Sequence, residues 1–139
     1  MLLNLIGSFP LAPLYWLQAI ISAFFAILFL QSGIDKIANQ KENLDWLLGH
    51  FAKSPLSGAV PFLLTTITVV EVIAGGTSLA AVGQSLYFKE FDFAILGTTF
   101  SAVALLMLFF GQRIAKDYEG AGNLVPYFIL AVLNLYFLL

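Results

Sequence analysis

The sequence predicts an all-α integral membrane protein, a bundle of four transmembrane helices with a short amphipathic helix between the first and second. Of its 139 residues, 60% are hydrophobic and only 10% are charged, and the mean hydropathy is +0.95. A soluble domain carries about 25% charged residues and under half apolar ones. A soluble enzyme and a disordered chain are therefore both excluded.

Four windows that are almost free of charge predict the membrane-spanning helices. The length of each window is close to the ~20 residues needed to cross the hydrocarbon core. Four such spans leave no room for a soluble domain, so residues 1–139 are predicted to form a single membrane domain. Apolar and polar residues do not alternate within the windows, which favours helices over barrel strands. The predicted spans are residues 14–36, 61–82, 93–112 and 120–139.

The long loop after the first span predicts a short amphipathic helix over residues 40–52. It would lie in the membrane interface with Trp46 among its anchors. Asn39 followed by Glu42 resembles a capping box at its start. A plain solvent-exposed loop is the alternative. The apolar positions fall at i, i+3, i+4 and i+7, and are Leu44, Leu47, Leu48 and Phe51.

The charges of the loops predict the orientation in the membrane. The first and third loops lie on one side and carry five basic residues, whereas the opposite side has only Lys89. The positive-inside rule then places these two loops in the cytoplasm and both termini outside. The five basic residues are Lys36, Lys41, Lys53, Arg113 and Lys116.

Each predicted span has one face of small or polar residues. In lipid such faces pack helices together, so they predict the interior of the bundle and leave large residues such as Phe24, Phe25 and Phe110 for the lipid. Packing alone and a polar cavity would both explain these faces. By span, they contain Gln18, Ser22, Ala26, Phe29, Gly33 and Lys36; Thr65, Thr68, Glu71, Gly75 and Ser78; Gly97, Ser101, Ala104 and Gly111; and Tyr127, Ala131 and Asn134.

Glu71 stands at the middle of the second span, ~15 Å from either end at 1.5 Å per residue. A carboxylate at this depth is costly and indicates function by default. It must be protonated, hydrogen-bonded, or met by Lys36 or Arg113. A contact that only fixes the packing, and a site for a proton or ligand, are both open. The candidate intramembrane polar site consists of Glu71, Gln18, Ser22, Thr68 and Asn134, with Ser101 as a further hydrogen-bonding partner.

A second polar group is predicted where the first and third spans end on the same side of the membrane. This interfacial charge cluster contains Asp35, Lys36, Arg113 and Asp117. Ion pairs between Asp35 and Arg113, or between Lys36 and Asp117, are chemically sensible. Ordinary interfacial charges that extend to water are the alternative, above all for Asp117.

The chain has no cysteine and a single histidine, His50. A disulfide framework, a thiolate metal site and a bis-histidine haem within the chain are therefore excluded. No metal site is predicted, and His50 is expected to be exposed. The net charge of −2 gives no indication of a nucleic-acid partner.

Three short motifs resemble the DoxX family of small bacterial membrane proteins. They are Ser32-Gly33-Ile34-Asp35-Lys36 at the end of the first span, Glu71 four residues before Gly75-Gly76, and Gly111-Gln112-Arg113 at the end of the third span. The resemblance extends from about Leu14 onward. It implies a four-helix bundle that crosses the bacterial inner membrane several times, and a link to quinone-dependent redox assemblies.

Two functions from different classes follow as expectations. The first is a non-catalytic accessory subunit of a membrane assembly, with the lipid bilayer and either other membrane proteins or further copies of the chain as partners. The second is a protein that binds a quinone or lipid in the bundle, with Glu71 as its polar contact. No intrinsic cofactor is expected. An ion channel is disfavoured, because one carboxylate among many bulky apolar residues makes a poor pore unless the chain oligomerises.

Overall fold

The chain forms a helical bundle, as the sequence predicts. The computed structural model describes residues 12–139, with side chains from Leu14 on, and this range contains no strand. Four of its five α-helices are long and apolar enough to cross a membrane, which confirms the all-α class and the number of spans. The α-helices are α1 (Ala12–Ala38), α2 (Gln40–His50), α3 (Val60–Gly83), α4 (Asp92–Ile114) and α5 (Tyr118–Leu138).

The second span is longer than predicted. A 3-10 turn, Ser57–Ala59, leads into α3, and a π-helical turn, Gln84–Phe88, continues it. The apolar helical stretch therefore covers 32 residues instead of the predicted 61–82. Lys89 ends it by adopting a left-handed backbone with φ 55°. The connection between the second and third spans is short, because the π-helical turn takes up most of its residues.

Glycines bring the helix backbones into close contact. Gly33 of α1 lies against Val72, and Gly75 of α3 lies against Leu30. These two contacts show that α1 and α3 run antiparallel. In the same way Gly97 of α4 packs on Ser78 of α3. Small residues at helix interfaces allow this approach in lipid, where no hydrophobic effect drives helices together.

Two aromatic side chains of α1 fill the centre of the bundle. Phe25 and Phe29 are fully buried and pack against small residues of the other helices, such as Ala104 and Ala131. The prediction that Phe25 faces lipid is therefore wrong. The alanine side chains are small, so they leave a space that the large rings of α1 fill.

The prediction that Thr65 faces the interior of the bundle is also wrong, because this residue of α3 is exposed.

The predicted helix between the first two spans is confirmed as α2, which begins at residue 40 as predicted but ends at His50 and lacks the predicted cap. Asn39 precedes α2 and forms no side-chain cap. Its side-chain amide donates instead to Asp35 Oδ1, at 2.8 Å, so the capping box with Glu42 is not formed. α2 extends from the end of α1 toward the end of α4, where Phe51 packs beside Gly111.

The loop charges predict the same orientation after one correction. Lys36 lies inside the bundle beside Glu71, so it no longer counts as a loop cation. The side of the first and third loops then has four cations, and the opposite side has only Lys89. We expect a reporter fused after Leu139 to behave as non-cytoplasmic, and a cytoplasmic reporter would contradict this. The four cations are Lys41, Lys53, Arg113 and Lys116.

Candidate intramembrane polar site

A buried ion pair joins α1 to the middle of α3. Lys36 Nζ lies 3.0 Å from Glu71 Oε2, and Glu71 has 0% of its surface exposed. Lys36 Nζ also donates to Ser32 Oγ at 2.7 Å, one turn earlier on α1. Of the two cations that the sequence offered, Lys36 is the one that meets Glu71.

The close contact between α1 and α3 explains why Lys36 reaches Glu71. Gly33 lets the backbone of α1 approach Val72, the neighbour of Glu71. Lys36 follows three residues later on the same face of α1. Its flexible stem can then extend along α3 to the carboxylate.

The ion pair leaves the carboxylate of Glu71 without a directed hydrogen bond. Neither of its oxygens receives one from the described residues, and the 3.0 Å contact with Lys36 Nζ is made by Oε2. A buried acceptor without a donor costs about 1–3 kcal/mol. Glu71 therefore keeps one oxygen that a proton, a water molecule or a ligand could satisfy.

A second polar network lies elsewhere in the bundle and links three helices. Gln18 Nε2 of α1 donates to Asn134 Oδ1 of α5 at 2.9 Å. Asn134 Nδ2 in turn donates to Thr98 Oγ1 of α4, also at 2.9 Å. The other amide atom of Gln18, Oε1, is buried and has no hydrogen-bond partner in the described part of the chain. The network holds α5 against the rest of the bundle.

The predicted five-residue site therefore does not form one cluster. Gln18 and Asn134 bond to each other and not to Glu71. Thr68 is half-buried and donates to Leu64 O of its own helix, at 2.6 Å. Ser22 is buried, and Ser101 Oγ donates back to Gly97 O at 2.6 Å. The sequence predicted that these residues face inward, but a shared face does not show which side chains meet.

The predicted interfacial charge cluster is dispersed. Within the described residues, Asp35 and Arg113 form no ion pair, and neither do Lys36 and Asp117. Asp35 accepts hydrogen bonds from nearby amides, that of Asn39 among them. The guanidinium of Arg113 lies over the ring of Tyr118, 4.4 Å from its centre. Asp35 and Arg113 are thus satisfied by neighbours close in sequence, whereas Lys36 pairs with Glu71 of α3.

Asp117 has a role that the sequence analysis missed. Its Oδ1 accepts the backbone N–H of Gly120 at 2.9 Å, so it caps the start of α5. Its Oδ2 lies 3.6 Å from His50 Nε2. Aspartate is favoured directly before the first turn of a helix, so the position of Asp117 just before the fourth span would have indicated the cap.

His50 is half-buried and not exposed as predicted. Its Nε2 lies 2.8 Å from Gln112 Oε1, and its ring stacks on that of Trp46 with centres 4.4 Å apart. The contact with Gln112 joins α2 to α4, whereas the stacked pair lies within α2. Trp46, His50 and Gln112 also form one side of an apolar pocket of about 110 Å³ between α2, α3 and α4. Sequence reasoning could not find this site because 62 positions separate His50 from Gln112.

Comparison with known proteins gives no relative for this chain. No protein-family model, no curated protein and no solved structure matches it. Within residues 12–139, no three His, Cys, Asp or Glu side chains come close enough together to hold a metal ion. The features of the structure that bear on function are the ion pair, the amide network and the pocket.

The amide network makes a direct prediction for Asn134. Asn134→Leu removes both of its hydrogen bonds and leaves Gln18 and Thr98 without partners. We expect a loss of about 1–2 kcal/mol in the free energy of unfolding, the order for polar contacts between membrane helices. Unfolding by SDS in mixed micelles measures it. Asn123→Leu, at an exposed position of the same helix, is the control, and equal losses in both variants would refute the role of the network.

Proposed function

We propose that this protein is a DoxX-like, non-catalytic accessory subunit of a membrane assembly linked to quinone redox chemistry in the bacterial inner membrane. The observation that supports it most is the ion pair of Lys36 and Glu71. The countercharge for the intramembrane carboxylate comes from the same chain. Glu71 is thus used to hold α1 on α3, as a scaffold requires.

The outer surface offers such a scaffold a place for its partners. α5 packs mainly on α4, and its outer face carries large exposed side chains, among them Ile129, Leu133 and Tyr136. In a bilayer this face contacts lipid. It is also the kind of apolar surface to which another membrane protein or a second copy of the chain can dock.

The test is the quinol oxidation rate of isolated membranes. Deleting the chain from its host should lower this rate, while the purified protein alone should show no turnover. Re-expression of the wild type should restore the rate. The double variant Lys36→Met/Glu71→Leu should restore it as well, because a scaffold needs the folded bundle and not the charges. An unchanged rate after deletion would overturn the accessory role.

A second candidate function rests on the buried oxygen Oε1 of Glu71, which accepts no hydrogen bond from residues 12–139. In this function the protein retains a quinone or lipid at an intramembrane polar site, where Glu71 Oε1 would contact the bound molecule. Glu71→Gln would then preserve the fold but lose the molecule that is extracted with the protein and detected by mass spectrometry. Glu119→Gln, at an exposed position, is the matched control. Extraction of the same molecules from both variants would reject the site at Glu71.

A further inference from the structure

The pocket between α2, α3 and α4 lies apart from the buried ion pair. Its base is formed by buried side chains of α3, including Leu64 and Ile67, and by Met107 of α4. Its other side is formed by α2 through Trp46 and His50. The pocket therefore exists only because α2 folds across α3 and is fastened to α4.

The chemistry of the lining selects against a charged ligand. None of the lining side chains is a lysine, arginine, aspartate or glutamate. Apart from the indole N–H of Trp46, the polar side chains in the lining are His50 and Gln112. A phosphate headgroup would find no cation here, whereas a neutral molecule would lose little on leaving the bilayer.

The two polar residues present a free donor. His50 Nε2 faces both Gln112 Oε1, at 2.8 Å, and the carboxylate of Asp117, at 3.6 Å. The carboxylate of Asp117 can only accept, so His50 Nε2 carries a hydrogen beside it, and the Gln112 amide therefore faces this N–H with its oxygen. The NH₂ group of Gln112 then has no hydrogen-bond acceptor within residues 12–139 and can donate to an oxygen of the ligand.

The size and shape of the site favour a ring. A buried apolar cavity of about 150 Å³ holds a benzene molecule, so the 110 Å³ here accommodates much of a six-membered ring. Trp46, which is 60% exposed, adds a flat aromatic surface beside the pocket. Gln112 stands near the end of α4, which places the donor close to the membrane surface.

From these observations we propose that the pocket binds the neutral, oxygen-bearing ring of a membrane-soluble molecule, with the Gln112 NH₂ group donating to the ring oxygen. Quinones and phenolic lipids share this chemistry. The ring would enter beside Trp46, and an apolar tail would extend into the bilayer. The site goes beyond the scaffold role and does not depend on it.

Fluorescence of Trp46 tests the site directly. The chain has two tryptophans, so Trp16→Phe leaves Trp46 as the reporter. In nanodiscs of phosphatidylcholine, decylubiquinone should quench this variant saturably. The converse variant, Trp46→Phe, should show only the linear quenching of a ring dissolved in lipid. The same titration with nonylphenol separates a phenolic from a quinone ligand, and saturation by either supports the site.

Two pocket variants are made in the Trp16→Phe background. Gln112→Leu should weaken binding about tenfold, the effect of one lost hydrogen bond. Gly111→Leu should abolish saturation by filling the pocket while keeping the polar pair. Gln31→Leu, exposed on α1, should bind like its parent. Circular dichroism confirms that each variant is folded.

The outcomes that overturn the site are equally definite. Linear quenching of Trp46 by both probes would reject it, and so would equal saturation in the folded Gly111→Leu variant. Loss of saturation when phosphatidylglycerol replaces phosphatidylcholine would indicate an anionic headgroup and would also reject the neutral ring. None of these results changes the expected effect of deletion on quinol oxidation, so the two proposals fail separately.

Discussion

Lys36→Met is expected to lower the free energy of unfolding by about 3–5 kcal/mol, the cost of breaking a buried ion pair by removing one partner. The loss is large because Glu71 has no exposed surface and a short side chain. Its carboxylate cannot reach water and must either stay charged in an apolar bundle or take up a proton. Both outcomes are costly at this depth.

Substitution of the other partner, Glu71, should lower the free energy of unfolding by less. In Glu71→Gln the uncharged amide can still lie near Lys36, and the lysine keeps its hydrogen bond to Ser32. The lysine side chain is also 15% exposed, so its long stem can carry the ammonium group toward the interface. We therefore expect Lys36→Met to destabilise the bundle more than Glu71→Gln does.

The double variant Lys36→Met/Glu71→Leu separates the pair from its charges. Replacing a buried ion pair by apolar residues is often neutral or stabilising, so the double variant should recover most of the stability lost in Lys36→Met. SDS unfolding of all three variants measures this, with Lys41→Met at an exposed position as the control. Equal, small losses in both single variants would show that the contact contributes little.

The location of Glu71 could be predicted from sequence, but its partner could not. One carboxylate in the middle of an apolar span must be satisfied, and the sequence offered two plausible cations, Lys36 and Arg113, at the ends of the first and third spans. The choice between them depends on how the helices pack. Gly33 lets α1 approach α3 and brings Lys36 within reach, whereas Arg113 stacks on Tyr118. A local contact between a cation and an aromatic ring competes with pairing between helices, and the spacing of polar residues along a span does not reveal it.

The contrast between Phe25 and the polar residues shows a second limit. The pattern of small and polar residues predicted the buried face of α1 well, from Gln18 to Gly33. It failed for Phe25 because lipid and protein interior are both apolar, so hydrophobicity does not distinguish a core phenylalanine from one in lipid. The space beside Ala104 and Ala131 decides its position. That space is a property of several helices together and cannot be seen in one.

Neighbouring glycines on α3 should respond in opposite directions to the same substitution. Gly75 packs directly on α1, where an added Cβ would lie 2.8 Å from the backbone nitrogen of Leu30. Backbone cannot move aside as a flexible side chain can, so α1 and α3 must separate. Such overpacking costs about 1–3 kcal/mol, which we expect for Gly75→Ala even after its gain in helix propensity.

Gly76→Ala is the matched control, because no atom of the described residues lies within 4 Å of its added Cβ. There only the helix propensity changes, and we expect a gain of about 0.5–1 kcal/mol in the free energy of unfolding. SDS unfolding of the two variants under identical conditions compares them. A further measurement is the distance between spin labels on α1 and α3, which should increase in Gly75→Ala alone. If both variants gain stability and the distance stays constant, the close packing of α1 on α3 is refuted, and with it the geometry that brings Lys36 to Glu71.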